Sequence, residues 1–224
     1  MSYIKVIFNE NVRKVFNKGE EICFDFKDEP VILITGDNGC GKSTLVNSIR
    51  AHKCSNLDGQ EKTLGSASLN YSDIELFLKP FTTIDTDFKN IFYLSSEFDD
   101  PLSMNNSFDA CAFINNGGFH TANLSKGQRL MKMFARHIQK YKEKFDEDTL
   151  IIFDEADTGY DLKNQIMFYK LLPKICELHK CKCLCITHCA IPLMLGTYNV
   201  YDLKNRMYIN GKDYLEIYIK TLLN

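Results

Sequence analysis

At residues 31–44 the chain reads Val31-Ile32-Leu33-Ile34-Thr35-Gly36-Asp37-Asn38-Gly39-Cys40-Gly41-Lys42-Ser43-Thr44. The first four residues form a continuous apolar run, which is typical of a β-strand buried on both faces. The next segment has the spacing Gly-x-x-x-x-Gly-Lys-Ser, and the residues from Leu45 to about His52 have the pattern of a helix. A glycine-rich loop between a strand and a helix lets backbone N–H groups surround phosphate oxygens. The stretch therefore predicts a P-loop in an α/β domain.

The residues of the predicted P-loop have different expected roles. The glycines allow successive amides to curl around phosphates, Lys42 reaches the β- and γ-phosphates, and Ser43 offers a hydroxyl to Mg²⁺. We expect ATP and Mg²⁺ as the cofactors, with Lys42 also serving catalysis. The predicted nucleotide-binding residues here are Gly36, Asp37, Asn38, Gly39, Cys40, Gly41, Lys42, Ser43 and Thr44.

Hydrolysis of ATP needs acidic residues beside the metal, and a second apolar run supplies them. Leu150–Phe153 is followed at once by Asp154 and Glu155. The spacing predicts that Asp154 holds Mg²⁺ through water. Glu155 is predicted to act as the general base for the attacking water.

Apolar strands alternate with helical patterns along the rest of the chain, which favours a mostly parallel sheet. Residues 3–8 and 21–26 alternate apolar and polar residues and predict an antiparallel β region around a turn near residues 17–19. The end of the chain predicts short strands around Asn210-Gly211 and then a helix. The further predicted strands are 90–95, 150–153 and 183–187, and the predicted helices are 125–141 and 163–179.

These patterns predict one domain over residues 1–224. Its parts are antiparallel β regions at 1–30 and about 54–90, a helical lobe at about 97–145, and a RecA-like core in the remainder. A length of 224 residues suits one domain with a sizeable core.

Composition narrows the class of protein. Hydrophobic residues make up 45% and charged residues 25% of the chain, and the formal net charge is −2. This balance is ordinary for a globular protein and argues against one built mainly to coat nucleic acid. No apolar run approaches the roughly 20 residues that span a bilayer, and the amino terminus has no signal-peptide core. We expect a cytoplasmic protein, and any membrane span would come from a partner.

The nine cysteines do not follow the spacing of a disulfide framework or a zinc site. Cys181, Cys183 and Cys185 alternate along an apolar run, so a strand would place all three on one face. We expect buried, reduced thiols, which fits a reducing compartment.

A short segment upstream of the Asp-Glu strand carries a resemblance to a known family. Leu124-Ser125-Lys126-Gly127-Gln128 resembles the LSGGQ signature, with Lys126 in place of the usual glycine. It precedes a predicted helix and lies between the P-loop and Asp154, so the chain resembles the ABC ATPase superfamily from about Tyr3 to its end. The resemblance implies an ABC-type P-loop NTPase fold.

Two further motifs match that family. Residues 156–161 occupy the place of the D-loop, with Asp161 matching its aspartate. Ile186-Thr187-His188 ends a predicted strand and resembles the segment with the switch histidine, so His188 is expected to contact the γ-phosphate.

Two elements of the family stay open. The glutamine expected after the strand at 90–94 is absent, because the chain reads Ser95-Ser96-Glu97. Either Glu97 or a serine takes its role, or this coupling element is altered. The aromatic residue that stacks on adenine is unassigned, with Tyr3, Phe8 and Phe16 as candidates that could equally be core residues.

The resemblance implies a homodimer held together by ATP, in which each site is shared between two copies. Ser125, Gly127 and Gln128 of one copy would cover the γ-phosphate bound to the P-loop of the other. Amides at a helix N-terminus are well placed to donate to an anion.

The biological role leaves three alternatives. The favoured one is a soluble ABC ATPase in nucleic-acid transactions or phage defence, similar to small ATPases related to the SMC and overcoming-lysogenization-defect groups. The short segment between Glu97 and Leu124 and the altered Q-loop favour it, and a basic face (Arg129, Lys132, Arg136, Lys140) could contact phosphates. The second alternative is the ATP-hydrolysing subunit of a membrane transporter. The third is a scaffold that binds ATP without hydrolysing it.

Overall fold

A computed structural model describes residues 2–27, 29–53, 78–95 and 142–223, together with positions 128, 131, 132, 135, 138 and 139. The predictions for 54–77, 96–127 and most of the basic face lie outside the described residues. The six described positions between 128 and 139 are helical, in agreement with the helix predicted at 125–141.

A six-stranded sheet forms the centre of the described structure. Its strand order is β5-β6-β7-β3-β8-β9, and only β9 runs antiparallel to its neighbour. The mostly parallel sheet predicted from the sequence is confirmed. Its strands are β3 (Val31–Thr35), β5 (Asn90–Ser95), β6 (Thr149–Asp154), β7 (Lys182–Ile186), β8 (Asn199–Asp202) and β9 (Met207–Asn210).

A second sheet has three antiparallel strands in the order β2-β1-β4. They are β1 (Tyr3–Phe8), β2 (Glu21–Asp25) and β4 (Thr82–Thr86). In β1 the residues Ile4, Val6 and Phe8 alternate with less buried neighbours, so one face joins the core. The antiparallel N-terminal region predicted from this alternation is confirmed.

Four helices accompany the sheets within the described ranges: α1 (Lys42–Lys53), α2 (Leu162–His179), α3 (Ala190–Leu195) and α4 (Gly211–Leu223). Asp161 caps α2, because its Oδ1 accepts a hydrogen bond from the Asn164 N–H at 2.8 Å. The helix ends at Lys180, which adopts a left-handed conformation with φ of 55°. No helix of the described residues is long and apolar enough to cross a membrane.

The core lies on both faces of the six-stranded sheet. Ile32 and Ile34 of β3 face the side of α1, whereas Val31 and Leu33 face the side of α2. Cys181, Cys183 and Cys185 lie together on the α2 side as free thiols. Burial raises the pKa of Cys183 to about 11, so this thiol stays protonated. Cys183 and Cys185 lie in β7 and Cys181 directly precedes it, so the predicted burial of the three on one face is confirmed.

The turn near the carboxyl terminus is not where the sequence predicted it. β8 and β9 are joined at residues 203–206, and Gly211 begins α4 instead of forming a turn with Asn210. The carboxylate of Asp202 fixes the actual turn, since its Oδ1 accepts from the Lys204 N–H at 3.0 Å and its Oδ2 accepts from Asn205 Nδ2 at 2.6 Å. Aspartate side chains commonly stabilise turns in this way, by accepting from backbone N–H groups that follow.

Candidate nucleotide site

The carboxyl ends of β3, β6 and β7 meet at one edge of the sheet, where open α/β sheets bind ligands. The P-loop follows β3, Asp154 ends β6, and His188 follows β7. Sheet topology therefore brings together residues that are far apart in the sequence.

The P-loop needs glycine for steric reasons that the structure makes explicit. Gly36, Gly39 and Gly41 have φ angles of 143°, 82° and 104°, which side chains rarely allow. A Cβ on Gly41 would lie 2.6 Å from Val15 Cγ1 and 2.7 Å from the Phe16 ring. The β1–β2 connection thus packs directly against the loop and holds its backbone in place.

The side chain of Lys42 folds back into the space that the P-loop backbone encloses. The side chain is buried, and Nζ donates to the carbonyl oxygens of Gly36 at 2.7 Å and Asp37 at 3.0 Å. The Sγ of Cys40 lies 3.8 Å from the same ammonium. A cradle of glycine backbone with a central positive charge fits a triphosphate. Outside the cradle, Asp37 is paired with Lys204 at 2.6 Å.

The residues predicted to hold Mg²⁺ have suitable chemistry. Ser43 is exposed in the first turn of α1, and Asp154 is half-buried at the end of β6. A hydroxyl and a carboxylate are hard oxygen ligands of the kind that Mg²⁺ prefers. The Oδ2 of Asp154 accepts a hydrogen bond from the Tyr93 hydroxyl at 2.8 Å. These donors fit the ion, and Ser43 and Asp154 would hold it.

Glu155 and His188 form a direct pair at this edge. Glu155 Oε1 lies 3.2 Å from His188 Nε2, and about 43% of each side chain is exposed. The backbone of Glu155 has a left-handed φ of 50°, and its N–H donates to the Ile186 carbonyl at 3.0 Å. A strained residue held in this way is a common feature of functional sites. The pair is accessible to a water molecule and to a phosphate.

A buried hydrogen-bond network that the sequence analysis missed supports this pair. The Thr187 hydroxyl donates to Asp157 Oδ2 at 3.0 Å and accepts from the Cys189 N–H at 2.8 Å. The Thr187 N–H donates to the Ile34 carbonyl at 3.2 Å. Thr187 thus joins the segment after Glu155 to the β3 strand that carries the P-loop. In the sequence, the sign of this network was the presence of the polar residues Asp157 and Thr187 close to Glu155 and His188.

A cavity of about 260 Å³ lies between the P-loop and α4. It is lined by Asp37, Asn38 and His188 on one side and by Tyr214 and Tyr218 on the other. The two tyrosine rings stack with centroids 6.1 Å apart. No pattern in the sequence predicted that the final helix lies beside the P-loop.

The three candidates for adenine stacking have structural roles. Phe8 and Phe16 are fully buried and stack on each other with ring centroids 4.0 Å apart. Tyr3 begins β1, about 16 Å of strand away from Phe8. Its hydroxyl donates to Asp85 Oδ1 at 2.9 Å. Phe8 and Phe16 are therefore core residues.

The remaining predicted site residues are only partly described. Ser125 and Gly127 lie outside the described residues, as do Ser96 and Glu97 of the Q-loop. Gln128 is helical and exposed. Ser95 is buried at the end of β5, opposite Asp154 in the strand register. Asp161 serves as the cap of α2, and its contact with nucleotide stays a prediction.

The arrangement along this sheet edge, from the P-loop to the acidic pair and the histidine, is that of an ABC-class ATPase, which binds and hydrolyses ATP. The family model AAA_23, an AAA domain, matches residues 9–166, and the chain belongs to this family.

Two relatives are informative. The zinc import ATP-binding protein ZnuC of Buchnera aphidicola subsp. Baizongia pistaciae (strain Bp) is 28% identical over 181 residues, which cover 81% of this chain and 72% of that protein. The structure of cbiO1 from Clostridium perfringens, part of the ABC transporter complex cbiONQ, superposes with a TM-score of 0.54 at 21% identity. The superposition covers 100% of this chain and 96% of that one. The second likeness concerns the fold alone.

The first of these comparisons bears on the biological role. The first relative is an import protein by name, so this comparison favours the alternative of a transporter subunit over the nucleic-acid role favoured from the sequence. The short segment after Glu97 and the altered Q-loop, which suggested otherwise, lie largely outside the described residues.

Proposed function

We propose that this chain is the ATP-hydrolysing subunit of a membrane transport complex. The contact between Glu155 and His188 beside the P-loop carries the hydrolytic part of the proposal. The similarity to an import ATPase supports the transport part.

In the proposed reaction, water attacks the γ-phosphorus and gives a proton to Glu155, while the bond from this phosphorus to the bridging oxygen breaks and ADP leaves. His188 holds the Glu155 carboxylate through Nε2 and contacts the γ-phosphate, while Lys42 leaves the Gly36 and Asp37 carbonyls and binds phosphate oxygens. Ser43 and Asp154 would hold Mg²⁺, which would neutralise phosphate charge. Phosphoryl transfer depends mainly on positioning and electrostatics, and these groups supply one half of the site.

The site is proposed to be completed by a second copy of the chain. Ser125, Gly127 and Gln128 of that copy would donate to the γ-phosphate from a helix N-terminus. ATP would then join two identical composite sites across a two-fold axis, and hydrolysis would release them. The exposed position of Gln128 is compatible with such a contact.

Purification of the tagged Glu155→Gln variant with ATP and Mg²⁺ from detergent-solubilised membranes tests the transport role. We expect one multi-span membrane protein to co-purify in a fixed ratio, and wild-type turnover to rise when the two are reconstituted together. Turnover that rises with DNA or RNA instead, with no such membrane protein bound, would overturn the transport role and favour the nucleic-acid alternative.

A further inference from the structure

Tyr93 lies behind the proposed metal site, on the strand next to the one that carries Asp154. β5 and β6 are parallel, and their register places Tyr93 opposite Ile152 and Ser95 opposite Asp154. The tyrosine side chain reaches two residues forward along the sheet, where its hydroxyl donates to Asp154 Oδ2 at 2.8 Å. No motif of the P-loop or of the acidic strand includes this tyrosine.

The helix that follows the P-loop holds the ring of Tyr93 in place. The guanidinium carbon of Arg50, in α1, lies 3.5 Å from the centroid of the Tyr93 ring. Arg50 is buried and also donates from Nη1 to Asn47 Oδ1 at 3.4 Å. A guanidinium stacked on an aromatic face is attractive and restricts both groups. Tyr93 therefore has little freedom to withdraw from Asp154.

In the contact between Tyr93 and Asp154, the hydroxyl is the donor and the carboxylate is the acceptor. A phenol is protonated at neutral pH and a carboxylate is a hydrogen-bond acceptor, so the Tyr93 hydroxyl donates to Asp154. A hydrogen bond to one carboxylate oxygen fixes the rotation of the whole group. Partners behind a metal ligand commonly set the orientation of that ligand, and their loss lowers metal affinity about 10- to 100-fold.

We infer that Tyr93 is a positioning residue for Asp154, and that its hydroxyl sets the affinity of the nucleotide site for Mg²⁺. This inference rests on the proposed role of Asp154 as a metal ligand. Tyr93 itself touches neither nucleotide nor metal. The side chain of Tyr93 thereby links Arg50 of α1, the helix that follows the P-loop, to Asp154 of β6.

Tyr93→Phe tests the inference, because it keeps the ring over which Arg50 stacks and removes only the hydroxyl. The affinity of a fluorescent, non-hydrolysable ATP analogue is measured in EDTA and then along a Mg²⁺ titration. We expect the half-saturating Mg²⁺ concentration to rise about tenfold, while the affinity in EDTA stays within about twofold. An unchanged Mg²⁺ dependence, or an equal loss of affinity in EDTA, would overturn the inference.

Tyr198→Phe is the matched control. The Tyr198 hydroxyl donates to the Tyr169 carbonyl inside the core, and Tyr198 directly precedes β8, at the opposite edge of the sheet. It should lower the melting temperature about as much as Tyr93→Phe and leave the Mg²⁺ titration unchanged. A shifted titration in this control would mean that any lost core hydrogen bond has the same effect, and would overturn the specific role of Tyr93.

Asp154→Asn separates the inference from the proposed function. This variant should raise the Mg²⁺ requirement, and adding Tyr93→Phe to it should have little further effect, since both act through the same carboxylate. If Asp154→Asn leaves the Mg²⁺ dependence unchanged, the metal role of Asp154 fails and the inference fails with it. If Asp154→Asn raises it but Tyr93→Phe does not, only the inference fails.

Discussion

His188 Nε2 lies 3.2 Å from Glu155 Oε1, although the two residues follow different strands of the sheet. Glu155 directly follows the last residue of β6, and His188 comes two residues after β7. Because these strands are parallel neighbours, their carboxyl ends place a candidate general base beside a candidate phosphate contact.

Replacing His188 by alanine should impair hydrolysis more than binding. The imidazole contacts Glu155, whereas the P-loop that carries the phosphates stays intact. We expect turnover to fall about 100-fold, at the lower end of the range for loss of one group that stabilises the transition state, with ATP affinity changed much less. Steady-state kinetics and a fluorescent-nucleotide titration measure both. His179→Ala, at the end of α2, is the control, and equal turnover in the two variants would contradict the role of His188.

Removal of the Lys42 ammonium should weaken ATP binding strongly. Hydrogen bonds to charged groups contribute about 1.5–3 kcal/mol, so Lys42→Ala should lower the affinity about 10- to 150-fold. Lys204→Ala is a matched control at the mouth of the same loop, where the exposed pair with Asp37 contributes little. Equilibrium nucleotide titration compares them. Similar losses in both variants would mean that general charge, and not the position of Lys42, governs binding.

Gly41→Ala should destabilise the protein and prevent nucleotide binding. Alanine at this position would have to adopt a φ near 104°, and its Cβ would overlap Val15 and Phe16. We expect these two effects to lower the free energy of unfolding by about 3 kcal/mol. Gly19→Ala isolates the backbone strain, because Gly19 has a φ of 81° and open space around it. Its expected cost is about 1 kcal/mol, with ATP binding retained. Urea unfolding distinguishes the two, and equal costs would contradict the close packing described for Gly41.

Thr187→Val should lower both stability and turnover. The substitution removes the donor to buried Asp157 and the acceptor for the Cys189 N–H, next to His188. We expect a loss of about 2 kcal/mol in the free energy of unfolding and a lower turnover at saturating ATP. Thr221→Val, at an exposed position of α4, should stay within about 0.5 kcal/mol of wild type. A Thr187→Val protein with full turnover would show that the network does not position the site.

The loop, the acidic pair and the histidine could be predicted because each follows an apolar strand in a pattern with its own physical reason. The contacts between these residues could not be predicted from the sequence. Tyr93 and Asp154 are 61 positions apart, and Thr187 and Asp157 are 30 apart, so their hydrogen bonds depend on strand order and register. A single sequence gives the period of a strand but not its neighbour in the sheet.

Other features depend on tertiary packing. The stacked pair of Phe8 and Phe16 answers a question that the sequence left open, because these aromatic residues near the P-loop belong to the core. The turn predicted at Asn210-Gly211 was wrong, because the actual turn at 203–206 depends on hydrogen bonds to Asp202. The position of α4 beside the P-loop follows from tertiary packing, which no local pattern encodes.

The mass in solution of the Glu155→Gln variant tests the composite site most directly. Without its general base the variant should keep ATP bound, so the proposed contacts from Ser125 and Gly127 of a second copy would persist. Light scattering with saturating ATP and Mg²⁺ should give twice the monomer mass, and adding Ser125→Arg should return it to the monomer mass. A Glu155→Gln protein that binds ATP yet stays monomeric under these conditions would contradict the account.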